Sequence, residues 1–371
     1  MIDSLHLTLD FPPMSHGGIS TAVGEVVELL TRAEHRAGVI SYDDWRPTRS
    51  QVESQPIKER AEVWRVRTPE QVTELLGSEC IGEIGRVVVH HPLLWEDGET
   101  LSSQRKVPID FVIHVDTLYV AHVTNREVPS HYLELQERIV SNASRIIALS
   151  SDVEQRWRSD YPGLKIHRAP LPLVRERSPT KPTLNLSVLS VGRFDFVKGT
   201  DILATTISSV LRRLPAVNWT HVGGNPASPK TERRWMRKLV DELGEEERSR
   251  FEMVPWRTSS ELEAYYQMAS VVVIPSRYET FGLVAAEAIG HGLPVVAFAV
   301  GGLGDTLVDN VTGYTVSELN VEHFIERVVD ALEVLKLKPG YWRDTSIERS
   351  RLLAAEAKRA WLQLYLNGAS L

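Results

Sequence analysis

The rhythm of the chain constrains its fold most: short β-rich runs alternate with helical patterns, stop once, and resume. Ser4-Leu5-His6-Leu7-Thr8-Leu9 alternates as a strand does. After Phe11-Pro12-Pro13-Met14-Ser15-His16-Gly17-Gly18, the residues Ile19, Val23, Val26, Val27 and Leu30 fall on one face of a helix. Val87-Val88-Val89 and Phe111-Val112-Ile113 read as buried strands, Leu133 to Ile139 as a helix, and Arg145-Ile146-Ile147-Ala148-Leu149 as a further strand. Strands alternating with helices imply a parallel sheet covered on both faces.

The rhythm stops between residues 169 and 183, where Pro170, Pro172, Pro179 and Pro182 discourage regular structure. It resumes with the strand 186–191, a helical face of Ile202, Leu203, Ile207, Val210, Leu211 and Leu214, and the strand 219–222 before Gly223-Gly224. Thr258-Ser259-Ser260-Glu261 is a capping box opening a helix through Met268. Val271-Val272-Val273-Ile274, a helix around Leu283 to Ile289, the strand 294–298 and a tail helix from about 346 to 367 complete the pattern. The expected organisation is therefore an N-terminal α/β domain over 1–170, a linker over 171–183, a C-terminal α/β domain over 184–345 and a tail over 346–371. A length of 371 residues suits two such cores.

Composition removes several classes. With 42% hydrophobic and 25% charged residues the chain is an ordinary globular one, and its net charge of −7 disfavours a general nucleic-acid binder. The single cysteine, Cys80, excludes an intrachain disulfide and fits a reducing cytoplasm. The most apolar stretch, Gly282 to Gly304, contains Glu287, His291 and Pro294 and does not read as a membrane span, which leaves only a peripheral membrane contact open. Lys230, Arg233, Arg234, Arg237 and Lys238, followed by the acidic run from Asp241 to Glu247, read as a solvated helix of mixed charge. His90 and His91 end a strand with no carboxylate or cysteine at a telling spacing, so they are not read as metal ligands.

Two α/β domains place ligand-binding loops at the carboxyl edges of their sheets, on either side of a cleft. Three loops there carry suitable groups. Gly17-Gly18 sits between a strand and a helix, where glycines admit a ligand to the backbone and a helix N-terminus favours an anion; a plain turn reads the same way. Arg193 and Lys198, five residues apart in Val191-Gly192-Arg193-Phe194-Asp195-Phe196-Val197-Lys198-Gly199, can both reach a diphosphate, or be two surface cations. In Glu279-Thr280-Phe281-Gly282-Leu283-Val284-Ala285-Ala286-Glu287, a helix starting near Phe281 leaves Glu279 in the loop, puts Glu287 inside the helix and frees the amides of Phe281, Gly282, Leu283 and Val284 for a phosphate.

This last segment resembles the Glu-x7-Glu motif of retaining GT-B glycosyltransferases of the family 4 type. Ile274-Pro275-Ser276, Gly292-Leu293-Pro294-Val295-Val296-Ala297, Gly301-Gly302 and Asn310-Val311-Thr312-Gly313 match its surroundings, Arg193 and Lys198 its pyrophosphate pair, and Gly17-Gly18 its N-terminal glycine loop. The resemblance implies the GT-B fold: two Rossmann-like domains facing across a cleft, with a C-terminal helix crossing back to the first. It implies transfer of a hexose, with retention, from an NDP-sugar (UDP or GDP) to a hydroxyl of a small-molecule or lipid-linked acceptor; the arginine-rich composition points to a bacterial natural-product or cell-envelope biosynthesis pathway. No cofactor is expected; no Asp-x-Asp occurs, so no metal is expected either.

By the same resemblance, Arg193 and Lys198 hold the diphosphate, Glu279 with Thr280 binds the sugar, and Glu287 binds the ribose. His114, in Ile113-His114-Val115-Asp116, matches an N-terminal-domain histidine that lies close to the donor sugar, and Asp116 is a further candidate for the acceptor. The chain departs from the family's pattern at Ala169-Pro170-Leu171-Pro172-Leu173, in place of the usual Asn-Gly-Val-Asp, and at Trp256, in place of a glycine before the base-binding loop. Two other readings of the same architecture are a nucleotide-sugar epimerase, which needs no acceptor, and a non-catalytic nucleotide-sugar-binding subunit.

Overall fold

The computed structural model describes residues 1–12, 17–42, 61–66, 69–77, 81–173, 177–181, 185–224 and 229–366. Cys80, the loop stretch Pro13-Met14-Ser15-His16 and Pro182 lie outside the described residues. The chain divides into two compact units. Unit 1 comprises Met1–Ala121, Glu127–Arg175 and Ala354–Leu371; unit 2 comprises His122–Arg126 and Glu176–Leu353.

Unit 1 is built on a parallel sheet of β1 (Ser4–Thr8), β2 (Ala37–Ser41), β3 (Ala61–Arg65), β4 (Val87–Val89), β5 (Ile109–Ile113), β6 (Arg145–Ala148) and β7 (Ile166–Arg168), in the order β3-β2-β1-β4-β5-β6-β7. Pairing register sets His6 of β1 between Val39 and Val88. Successive side chains of a strand point to opposite faces. One face thus carries Leu5, Leu7, Val87, Val89, Phe111 and Ile113 into a core with Trp95 and Trp157. The other presents Ser4 and His6 from β1 and Asp110 from β5, all fully buried.

On that face Ala37, Val39, Ala61 and Val63 pack with Val23 and Val27 in a second apolar cluster, and the polar groups beside it are held by ionic and hydrogen bonds. Asp110 accepts from Arg86 at 2.7 Å and from Arg145 at 2.6 Å, and Tyr365 donates its hydroxyl to the same carboxylate at 3.3 Å. Tyr365 lies on the long helix Arg343–Tyr365, whose later turns belong to unit 1. There Trp361 donates to the carbonyl of Pro170 at 2.7 Å, and Glu356 pairs with Arg168 at 2.9 Å.

Unit 2 repeats the design with β8 (Ser187–Val191), β9 (Asn218–Val222), β10 (Phe251–Val254), β11 (Val271–Ile274), β12 (Val295–Phe298) and β13 (Gly313–Val316), all parallel, in the order β10-β9-β8-β11-β12-β13. Here both faces are apolar. Val188, Val271, Val273, Val296 and Phe298 face a core with the helices Thr200–Arg213 and Val321–Leu337. Leu189, Val272, Ile274 and Ala297 face another with the helices Ser259–Met268 and Leu283–Gly290. A strand buried on both faces reads as an unbroken apolar run, which is why Val271-Val272-Val273-Ile274 shows no alternation. Both units are thus Rossmann-like.

Asp110 is the counter-charge for two arginines in unit 1. Replacing it by alanine leaves both unpaired and is expected to cost about 3–5 kcal/mol. Urea unfolding measures this; a loss below about 1 kcal/mol contradicts the assignment.

Candidate functional site

In the unit 2 sheet, chain order reverses direction between β8 and β11, and ligands of such sheets bind at the carboxyl ends flanking that switch point. The loops leaving these two strands carry Arg193, Lys198 and Glu279. After β8, Phe194 is fully buried and anchors the first loop. Asp195 accepts from the Lys198 amide at 2.8 Å, and its carbonyl accepts from the Thr200 hydroxyl at 2.8 Å. Gly199 has φ of +68°, and a Cβ there would come within 2.0 Å of the carbonyl oxygen of Pro275. Only glycine lets the two loops approach this closely.

Arg277 fastens the loops together. Its guanidinium forks onto both oxygens of Asp201 at 2.7 Å each, donates to the Phe196 carbonyl at 2.9 Å and lies 3.8 Å from the Phe196 ring centroid. So placed, Lys198 Nζ meets Glu279 Oε1 at 2.7 Å, and the Ser276 hydroxyl donates to the same oxygen at 2.8 Å. Arg193 is more than half exposed and lies 3.2 Å from Asp195. Nothing local in the sequence marks Arg277, because its partners Phe196 and Asp201 are distant in the chain, whereas Ser276 meets Glu279 three residues on, from within the Ile274-Pro275-Ser276 stretch.

The second loop is clamped from behind by the turn after β12. Gly302 donates its amide to the Glu279 carbonyl at 2.8 Å and the Thr306 hydroxyl donates to the Phe281 carbonyl at 3.2 Å. Gly301 has φ of +52°, and a Cβ there would stand 2.0 Å from the Glu279 carbonyl oxygen. The helix starts at Leu283, with Gly282 as its N-cap, two residues later than a start at Phe281. Phe281 and Gly282 are buried, while Thr280, Leu283 and Val284 keep partial exposure. Ala286 donates to the Gly282 carbonyl at 3.0 Å, so the amides this helix end leaves outside its own ladder are those of Gly282, Leu283, Val284 and Ala285, and not that of Phe281. Glu287 lies in the helix and is buried: Tyr266 donates its hydroxyl to Oε2 at 2.9 Å, and Arg177 approaches Oε1 at 3.6 Å. A carboxylate offers about four lone-pair sites, so both contacts leave capacity for another donor.

In unit 1, Gly17 is the N-cap of the helix Gly18–Arg32, with extended backbone. A Cβ on Gly17 would meet no atom within 4 Å among the described residues, and Gly18 is exposed. The extended backbone of Gly17 is one that any residue adopts. His114 follows β5 and is buried, with Nε2 2.8 Å from His90 Nδ1. Desolvation, with His91 nearby, holds its pKa down at about 3. Asp116 accepts from the Tyr119 amide at 3.2 Å and pairs with Arg156 at 3.3 Å, so it caps the helix Thr117–Val123. Burial raises its pKa and Arg156 opposes the rise.

Residues 185–334 match the family model described as glycosyl transferases group 1. The D-inositol 3-phosphate glycosyltransferase of Frankia alni is 31% identical over 315 residues, spanning 77% of this chain and 73% of that one. Among solved structures, sucrose-phosphate synthase from Thermosynechococcus elongatus aligns over 99% of this chain and 100% of its own, with a TM-score of 0.79 at 21% identity. HepE from Anabaena, solved in complex with UDP and glucose, aligns over 100% of both chains with a TM-score of 0.75 at 15% identity. Both structures are of the GT-B fold. No helix among the described residues is long and apolar enough to cross a membrane.

Two predictions follow from the geometry. Gly301→Ala is expected to lose about 1–2 kcal/mol from its left-handed backbone alone and to displace Glu279, whereas Gly17→Ala changes stability by less than about 0.5 kcal/mol. Urea unfolding of the two variants checks this, and equal losses contradict it. Burial also holds His6 and His114 at about 3 and His90 well below 6.5, with desolvation the main cause in each. The folded protein therefore stays unprotonated at these rings while the unfolded chain takes up protons below pH 6.5. Stability is unaffected above pH 6.5 and falls as pH drops from there, by up to about 1.4 kcal/mol per pH unit for each ring. A flat unfolding free energy between pH 6.5 and 5 would contradict this.

Proposed function

The chain belongs to the group 1 glycosyltransferases, and from that membership we propose that it moves a hexose from a nucleoside-diphosphate sugar to an acceptor hydroxyl, with retention and without a metal ion. The observation that carries this reading is the contact of Lys198 with Glu279 at the switch point of unit 2. A cation for phosphate and a carboxylate for sugar hydroxyls stand side by side, with the exposed Arg193 on the same loop as Lys198.

In this reading Arg193 and Lys198, with the helix-end amides of Gly282, Leu283 and Val284, take up the charge that develops on the diphosphate as it leaves. Fixed donors of this kind need no reorganisation in the transition state. Glu279 and Thr280 hold hydroxyls of the sugar, and Glu287, oriented by Tyr266 and Arg177, accepts from the ribose. Gly17 and Gly18 give the donor access to backbone. His114 orients the sugar; Asp116 contributes to the acceptor side through its hold on the helix Thr117–Val123.

The bond from the anomeric carbon to the phosphate oxygen breaks with its electron pair on that oxygen. The acceptor oxygen bonds the same face of the carbon, and its proton passes to the departing phosphate oxygen. UDP and GDP are the donor nucleotides we favour. The Frankia relative's name makes a phosphorylated polyol the first acceptor to try.

Charge-assisted bonds are worth about 1.5–3 kcal/mol, so Arg193→Ala and Lys198→Ala should each weaken nucleoside-diphosphate binding roughly tenfold to a hundredfold. Calorimetry showing unchanged affinity in both refutes the diphosphate assignment. Activity should persist in EDTA, and proton NMR of the first-formed product should show the donor's anomeric configuration. A strict need for added Mg²⁺ or Mn²⁺, or an inverted centre, overturns the corresponding part of the mechanism.

A further inference from the structure

His114 is one end of an unbroken series of side-chain hydrogen bonds. His114 Nε2 meets His90 Nδ1 at 2.8 Å, and His90 Nε2 meets His6 Nδ1 at 2.9 Å. His6 Nε2 meets Ser4 Oγ at 2.9 Å, and Ser4 Oγ meets His35 Nε2 at 2.8 Å. His35 turns its remaining nitrogen, Nδ1, toward Asp3 Oδ2, 4.0 Å away. The series runs from the end of β5 past β4 and β1 to the residue pair before β2. None of its five members is more than 8% exposed, whereas the Asp3 side chain is 43% exposed.

A neutral imidazole has one N–H and one lone pair, so one bond direction among His6, His90 and His114 sets the other, and Ser4 hands that direction on to His35 when its hydroxyl accepts from one ring and donates to the other. If Ser4 donates to His35, then His6 donates to Ser4 through Nε2, His90 to His6 through Nε2, and His114 to His90 through Nε2. His114 Nδ1 is then left with a lone pair. If His35 donates to Ser4, every bond reverses and His114 carries its hydrogen on Nδ1. Between two rings a mixed arrangement sets two donors or two acceptors face to face, and at Ser4 it turns the O–H of a fully buried hydroxyl away from both rings, each of which is costly.

Asp3 selects the direction. A neutral His35 keeps its N–H toward the carboxylate and offers a lone pair to Ser4, which gives the first arrangement. A charged His35 donates from both nitrogens and imposes the second. We infer that Ser4, His6, His35, His90 and His114 form a proton relay in which a proton taken up at His114 Nδ1 appears as charge on His35 beside Asp3. The transfers balance: His114 Nε2–H passes to His90 Nδ1, His90 Nε2–H to His6 Nδ1, His6 Nε2–H to Ser4 Oγ, and the Ser4 proton to His35 Nε2. His114 changes from hydrogen-bond acceptor to donor while remaining neutral.

The groups around the relay suit this division. At the inner end His114 faces His90 and His91. At the outer end His35 faces Asp3, which also accepts from the Arg36 amide at 2.8 Å, and the edge of Tyr365, whose ring centroid is 5.8 Å away. Behind Tyr365 lie Asp110 and Arg145. Burial lowers the pKa of His35 while Asp3 raises it, so its charging falls below pH 6.5. The functional consequence rests on the reading of His114 as a residue that orients the sugar: as acceptor it binds a sugar hydroxyl proton, as donor it does not.

Long-range proton–nitrogen correlation spectra of the full-length protein, labelled with ¹⁵N-histidine, read each ring's tautomer directly. At pH 8, His6, His90 and His114 are expected in the Nε2–H form. As pH falls through the titration of His35, all three change to Nδ1–H together, and only His35 among the four shows imidazolium shifts. His35→Gln, at the end of the relay, should abolish the change, and Ser4→Ala should let His35 titrate while His114 no longer follows. Rings that titrate independently, or a His114 tautomer that switches unaltered in both variants, would overturn the relay. If the switch is present but kcat and its pH profile are the same in His35→Gln as in the parent protein, the relay stands and the sugar-orienting reading of His114 falls.

Discussion

An all-parallel sheet must put every strand's carboxyl end on one edge, and helices must return the chain along the faces. Everything proposed for this protein depends on that constraint. It brings the loops after β8, β11 and β12 together although more than a hundred residues separate Arg193 from Gly302 in sequence. Once together, they need short backbone approaches, and Gly199 and Gly301 supply them at carbonyl oxygens of Pro275 and Glu279. The ion pair of Lys198 with Glu279 results from this geometry. In the proposed reaction the same lysine must serve the departing diphosphate, so the contact with Glu279 links phosphate binding to sugar binding.

Much of this is legible from local signals. The capping box at Thr258 and Glu261 is present in full and opens a helix that ends at Met268. The apolar run at Val271 is a strand buried on both faces, and the reading of two Rossmann-like α/β domains holds. The helix after Glu279 begins at Leu283 because Gly282 adopts the left-handed conformation and Phe281 turns into the interior. Nothing in the spacing of Glu279 and Glu287 distinguishes this from a start at Phe281.

Other features are illegible because their partners are remote. Arg277 gains its role from Asp201, 76 residues earlier, and Glu287 from Tyr266 and Arg177. Asp110 sits in the middle of an apolar strand pattern and would read as an anomaly without Arg86, Arg145 and Tyr365 around it. His90 shows the same limitation. Beside His91 it suggests at most a metal ligand, yet the structure joins it to His6 and His114, which lie on other strands' chain segments. Buried polar groups of this sort identify themselves only through the network that satisfies them.

The central claim is that the switch-point loops of unit 2 are built to read a diphosphate. Calorimetric titration of the intact protein with a nucleoside, its monophosphate and its diphosphate, for both uridine and guanosine, tests it most directly. With Arg193 and Lys198 engaged, the step from monophosphate to diphosphate should bring the largest gain, at least about tenfold in Kd for the preferred base. A diphosphate that binds no more tightly than the monophosphate for either base would contradict the account.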